Sequence, residues 1–194
     1  MSRKFFFVAI AALFLILAGI SEARAQAGSQ KRESAPHFEA AVQSAFLRLR
    51  ELGEGPVGIG GRFTFNINDY VALEAEANHY PELEGGGNFG ETEALVGVKV
   101  GKRFEHFGVF GKVRPGYIKF GGDFFTLRLS KKEFFALDIG AVVEFYLSRH
   151  LFFRCDIGDL VIAFNGATYL FTVPPARLGT THNARQSLSV GVRF

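Results

Sequence analysis

Stretches of about ten residues in which apolar and polar side chains alternate recur along most of this chain, with turn-forming residues between them. Successive side chains of a strand point to opposite faces, so each stretch is a strand with one greasy and one polar side. The spacing predicts eight strands, over 38–47, 57–66, 70–80, 92–101, 107–117, 134–146, 151–159 and 183–194. The connections around 67–69, 102–106 and 147–150 are short, whereas those at 48–56, 81–91, 118–133 and 160–182 are long. Short turns at one rim and long loops at the other, with a greasy face throughout, predict an all-β, eight-stranded antiparallel up-and-down transmembrane β-barrel.

Parity sorts the side chains. One face carries Val57, Ile59, Phe63 and Phe65, then Leu73, Val96, Val98, Val109, Val113, Ile139, Val143, Phe153, Cys155 and Ile157. The other carries seven acids (Glu39, Glu74, Glu76, Glu93, Asp138, Glu144, Asp156) and seven bases (Arg62, Lys99, Lys112, Arg114, Arg154, Arg185, Arg193). Turning those charges toward lipid would cost roughly 2–4 kcal/mol for each Arg at the midplane, so they are expected to face inward. An eight-stranded barrel is just wide enough for side chains to fill, and an unpaired charge inside it is costly, so an interior network of ion pairs is expected.

The N-terminus reads as an export signal. Ser2-Arg3-Lys4 is basic, 5–20 is a nearly unbroken apolar run, and Ala23-Arg24-Ala25 places small residues where a signal peptidase reads. A signal over 1–25, a disordered periplasmic leader over 26–37 and a barrel over 38–194 are expected. Cleavage would leave 19 bases against 18 acids, a net charge of about +1 in place of the +3 of the whole chain. The basicity thus sits mainly in the signal, and no basic stripe interleaved with aromatics points to nucleic acid. Cys155 is the single cysteine, which excludes an internal disulfide. No apolar run of helical span length follows Ile20, so entry into a membrane requires a closed barrel.

Four places strain the pattern. Phe38, Ala41, Val42, Ala45, Phe46 and Leu49 also fit a helical stripe. Pro115 cannot donate to a ladder and is expected at a rim or a bulge. Asp159 falls on the lipid parity, which suggests a bulge at Gly158 or the end of the bilayer span. The segment 160–171 is apolar for a loop, and the last two strands are expected to extend there. Tyr70, Phe104, Phe107, Tyr117, Phe145, Tyr146 and Phe194, near strand ends, suit interfacial aromatic girdles.

Motifs for chemistry are sparse. The glycines of 55–61 and 97–101 lack nucleotide-loop spacing. His37, His79, His106, His150 and His182 are scattered, so no zinc site and no cofactor are expected. Glu82, Glu84 and Glu91 flank a glycine run without the ligand order of a calcium loop. Thr180, Thr181 and His182 form a close hydroxyl–imidazole group without the arrangement of a known nucleophile, and no enzyme is expected. Arg128, Lys131 and Lys132, beside Phe124 and Phe125, are candidates for contact with lipopolysaccharide phosphates.

The chain resembles the small outer-membrane β-barrel family of OmpA/OmpX type. The resemblance rests on Gly61-Arg62-Phe63-Thr64-Phe65-Asn66 running into Asp69-Tyr70-Val71-Ala72-Leu73-Glu74, on Gly111-Lys112-Val113-Arg114-Pro115-Gly116, and on Phe153-Arg154-Cys155-Asp156-Ile157-Gly158-Asp159. Leu188, Val190, Val192 and Phe194 alternate at the end, which is similar to the signal read by the barrel-assembly machinery. The resemblance implies a Gram-negative outer-membrane protein, monomeric, assembled with periplasmic chaperones, in contact with lipid and lipopolysaccharide. It implies a structural or surface-interaction role, with no peptidoglycan-binding domain after Phe194. A narrow ion-conducting pore, a lipid-modifying barrel enzyme and a secreted lipocalin-like carrier with an apolar interior are the alternatives.

Overall fold

The computed structural model describes residues 36–50, 55–81, 90–121, 132–169 and 176–194. The export signal, most of the leader, Glu82, Glu84, Arg128 and Lys131 lie outside the described residues. The strands are β1 (Phe38–Arg48), β2 (Val57–Asn66), β3 (Val71–Tyr80), β4 (Glu91–Arg103), β5 (Phe107–Phe120), β6 (Glu133–Tyr146), β7 (Leu151–Ala163), β8 (Thr168–Tyr169), β9 (Ala176–Arg177) and β10 (Thr180–Arg193). All but β8 and β9 form one closed barrel in the order β1-β10-β7-β6-β5-β4-β3-β2, with every neighbour antiparallel. Closure is made by the terminal strands: the Phe38 amide donates to the Phe194 carbonyl at 3.0 Å, and Phe194 returns the bond at 2.9 Å.

Two of the three short turns are fixed by their own polar side chains and the third by a backbone bond. Asn68 Oδ1 accepts from the amides of Tyr70 (2.8 Å) and Val71 (2.9 Å), and Ser148 Oγ accepts from those of His150 and Leu151. The Phe104 amide closes the third turn on the Phe107 carbonyl at 2.7 Å. Perpendicular partners followed once around the wall run Phe38, Phe65, Leu73, Val98, Val113, Ile139, Asp159, Ala184 and return to β1 at Arg48. That stagger inclines the strands to the barrel axis, by about 35–45° in barrels of this kind. Such strong coiling brings neighbouring backbones together at glycines. A Cβ on Gly97 would lie 2.1 Å from the Val113 carbonyl oxygen, and one on Gly140 would lie 2.1 Å from that of Ile157.

The strained places resolve as follows. Residues 38–48 are strand, because the supposed helical stripe splits: Phe38 and Val42 stand on the outside while Ala45 and Leu49 are buried inside. Pro115 is neither at a rim nor in a bulge. It pairs with Leu137 on β6, and the β4–β5 ladder merely passes over Val96 and Gly97 and resumes in the same register. No bulge occurs at Gly158; β7 stays in register with both neighbours and runs on to Ala163. Beyond it, a turn with Asn165 and Gly166 at positive φ leads to the β8–β9 pair, so the apolar segment after Leu160 does prolong the sheet.

Candidate functional site

The inner face is the chemically distinctive surface, and it has two layers. The lower layer, on the side of the short turns, is ionic. Arg114, fully buried on β5, reaches Glu76 with Nη1 at 2.5 Å and Asp138 with Nη2 at 2.5 Å. Arg62 joins Glu76 (2.7 Å) to Asp156 (3.2 Å). Arg185 holds Glu93 at 2.7 Å and also bonds Glu76. Arg154 bridges Asp156 at 2.8 Å and Glu74. Lys112 sits between Asp138 (2.9 Å) and Asp156 (3.0 Å), while Lys99 bonds Glu144 and lies 3.6 Å from Glu39 and Glu74. Each carboxylate thus meets a cation from another strand, which is the condition for keeping charges out of water. The pairs tie β2 to β7, β3 to β5 and β10, and β4 to β6 across the lumen.

Above this layer, toward the long loops, the lumen is apolar. Leu47, Ile118, Phe120, Phe134, Ile162 and Phe164 are all buried to within about a percent of full enclosure, in one cluster. The rings of Phe134 and Phe164 are 4.7 Å apart, and Phe120 stands 5.9 Å and 6.0 Å from them. Tyr80 joins the layers: its ring belongs to the cluster and its hydroxyl donates to Glu93 at 3.1 Å. At the short-turn mouth, Arg103 donates to Asn66 at 2.6 Å, lies 3.4 Å from Glu39, and packs over the Phe110 ring.

Thirteen of the charged residues expected inside stand in this network, named above. Arg193 is also turned inward but makes no ion pair among the described residues; its guanidinium stacks 4.2 Å from the Tyr146 ring. That contact corrects the placement of Tyr146 in a lipid girdle, since its hydroxyl donates to Glu144 at 3.1 Å. Tyr70, Phe104, Phe107, Tyr117 and Phe194 do face outward and exposed. The predicted fourth strand ends at Gly101, whereas β4 runs to Arg103, and those two further residues of alternation carry Arg103 inward. The apolar layer was missed because parity has no contrast where both faces are greasy.

The outer face carries a few polar groups near the long-loop end: His79 bonded to Thr92 at 3.0 Å, Lys119 paired with Glu133 at 2.9 Å, and His182 paired with Asp159 at 2.5 Å. Thr181 points inward to Asn183, so the hydroxyl–imidazole group divides across the wall; Thr180 shares the outer face with His182 without a hydrogen bond to it. Lys132 is exposed at the same rim. Leu188, Val190, Val192 and Phe194 all stand outward. A shallow groove of about 780 Å³ crosses the outer wall over Val42, Ser44, Ile59, Leu188 and Val190.

A closed antiparallel wall with its apolar residues outside and its charges inside defines an integral membrane β-barrel. The chain belongs to the family described as the outer membrane protein beta-barrel domain, which it matches over residues 10–194. No curated protein matches it by sequence. Among solved structures it is similar to the N-terminal β-barrel domain of Pseudomonas aeruginosa OprF, at 10% identity and a TM-score of 0.54, over 84% of this chain and 100% of that one. It is also similar to Neisserial surface protein A, at 14% identity and a TM-score of 0.56 over the same shares, and to the outer membrane protein OprG of P. aeruginosa, at 11% identity and 0.51, over 84% and 97%. At such identities the likeness shows the fold alone. Family and fold together assign the chain to the outer membrane of Gram-negative bacteria.

Proposed function

We propose that this protein is a structural or surface-interaction barrel, exported by its N-terminal signal and inserted as a monomer. The observation that carries the reading is the filled lumen. Paired charges occupy its lower part and three packed phenylalanines close its upper part, which leaves the wall and the loop rim as the surfaces available for function. A narrow conducting pore is the second reading, favoured by the charged lower layer and opposed by the apolar cap, which no hydrated ion crosses cheaply.

The partners we assign are lipid, lipopolysaccharide and, during biogenesis, periplasmic chaperones and the barrel-assembly machinery, which would read Leu188, Val190, Val192 and Phe194. Arg128, Lys131 and Lys132 are assigned to lipopolysaccharide phosphates, in support of which Lys132 is exposed at the long-loop rim. No catalytic role is assigned to Thr180, Thr181 or His182.

Binding of purified, refolded protein to lipopolysaccharide micelles, with and without Arg128→Ser/Lys131→Ser/Lys132→Ser, tests the partner assignment. The native protein should bind in a salt-dependent manner and the triple variant should bind several-fold less; equal binding by both would contradict the assignment.

A further inference from the structure

The apolar outer wall is not equally tall around the barrel. On β5 the outward residues stay apolar from Phe107 through Val113, Pro115 and Tyr117 before Lys119, and on β6 from Phe145 through Leu137 to Phe135 before Glu133. On β7 the run from Leu151 ends at Ile157, because Asp159 follows; on β10 the run from Phe194 ends at Leu188, because Gln186 follows. On β1, Ser44 interrupts it after Val42. The β4–β5 and β6–β7 turns, the Phe38–Phe194 backbone pair and the bond from the Arg193 amide to the His150 carbonyl level these strands at their lower ends. At a rise of about 3.3 Å per residue and a tilt of about 40°, Phe107 to Tyr117 covers about 25 Å of bilayer depth, and Leu151 to Ile157 about 15 Å. The apolar band of outer-membrane barrels is about 25 Å tall, so β5 and β6 match it and β7 and β10 fall short.

The polar residues that end these runs are neighbours. Gln186 is opposite Ile157 on β7 and Phe46 on β1, so Asp159 and Ser44 are its diagonal neighbours on either side. Asp159 is in turn bonded to His182, with both side chains about half exposed or more. Gln186 and Ser44 make no side-chain hydrogen bond to another described residue. Arg48 stands above them, opposite Ala184. The apolar side chains above the row, Phe46, Val161 and Ala163, are half-buried and do not restore a continuous band.

We propose that the β7–β10–β1 wall, the side on which the barrel closes, is a membrane-thinning face: the head groups and water of the outer leaflet descend to the row Ser44, Gln186 and Asp159, while hydrocarbon stays high against β5 and β6. The partner of this face is the lipid surface. Polar head groups and water satisfy the Gln186 amide, the Ser44 hydroxyl and the Asp159–His182 pair, which hydrocarbon would leave unsatisfied.

The test uses the full chain with Cys155→Ser as background and a nitroxide at Ala184→Cys on β10 or at Leu137→Cys on β6, two outward positions at matching depth, two strands apart around the wall. Reconstituted protein is read by power saturation with a water-soluble nickel chelate and with oxygen. The ratio of nickel to oxygen accessibility should be several-fold higher at Ala184. Equal, oxygen-dominated values at both positions would overturn the proposal, as would shielding of Ala184 from both reagents, which would mean that protein covers this face. A second measurement compares folding efficiency across phosphatidylcholine vesicles of increasing chain length. Asp159→Leu/His182→Leu/Gln186→Leu should shift the optimum to longer chains, and an unchanged optimum would count against the thinning face.

Discussion

Replacing Arg114 with Met should show how the ionic layer works. Arg114 is fully buried and holds Glu76 and Asp138 at 2.5 Å each. Its loss leaves two carboxylates short of a partner, and breaking a buried pair this way costs about 3–5 kcal/mol. The network softens that cost, because Glu76 keeps Arg62 at 2.7 Å and Asp138 keeps Lys112 at 2.9 Å. About 3 kcal/mol is therefore expected. With a urea dependence of about 1–3 kcal/mol per molar, the unfolding midpoint in lipid vesicles should fall by about 1–3 M. Removing Asp138 as well is the diagnostic step. Arg114→Met/Asp138→Leu takes away a charge of each sign and leaves Lys112 with Asp156 at 3.0 Å, so the double variant should be more stable than the Arg114 single variant. The midpoint is read from mobility in cold against boiled SDS gels, since a closed barrel resists cold SDS. A single variant that unfolds with the native protein, or a double variant whose loss is the sum of the two singles, would refute the idea that uncompensated charge dominates.

Phe134→Ala should cost about 3–5 kcal/mol in the same titration, because the buried Phe134 ring packs against both Phe120 and Phe164. Gly97→Ala should lower folding yield or stability by about 1–3 kcal/mol, since its Cβ would sit 2.1 Å from a backbone oxygen, whereas Gly111→Ala, with nothing nearer than 3.9 Å, should be near neutral; equal effects would mean the close strand contact is not real. The Cys155 thiol, half-buried on the outer wall, should resist a charged, membrane-impermeant maleimide in vesicles and react after urea unfolding; rapid labelling of the folded protein would place that face in water.

Alternation made the wall legible in the sequence wherever the two faces differ in polarity. Arg62-Phe63-Thr64-Phe65 declares its inside and outside without a structure, and the charges of β2 to β7 and β10 fall into one lumen as that parity requires. Where both faces are apolar, as along Phe134-Phe135-Ala136-Leu137, parity cannot say which ring is buried. The phenylalanine cap emerges only from the register that brings Phe120, Phe134 and Phe164 to one height. Strand ends are less legible: Arg103 lies two residues beyond the predicted end of β4, and Tyr146, an aromatic at a strand end, resembles a girdle residue until its partner Arg193 is seen. Asp159 stands on the outer face as its parity requires, and no bulge puts it there: the strand passes on unbroken and pairs the carboxylate with His182.

A lumen filled by ion pairs below and stacked phenylalanines above should pass no ions, which recording from the refolded native protein in a planar lipid bilayer can show. A quiet baseline is expected at voltages and protein concentrations where a conducting barrel gives steps. Recurrent unitary steps that scale with the amount of folded protein would contradict it and establish the narrow pore instead.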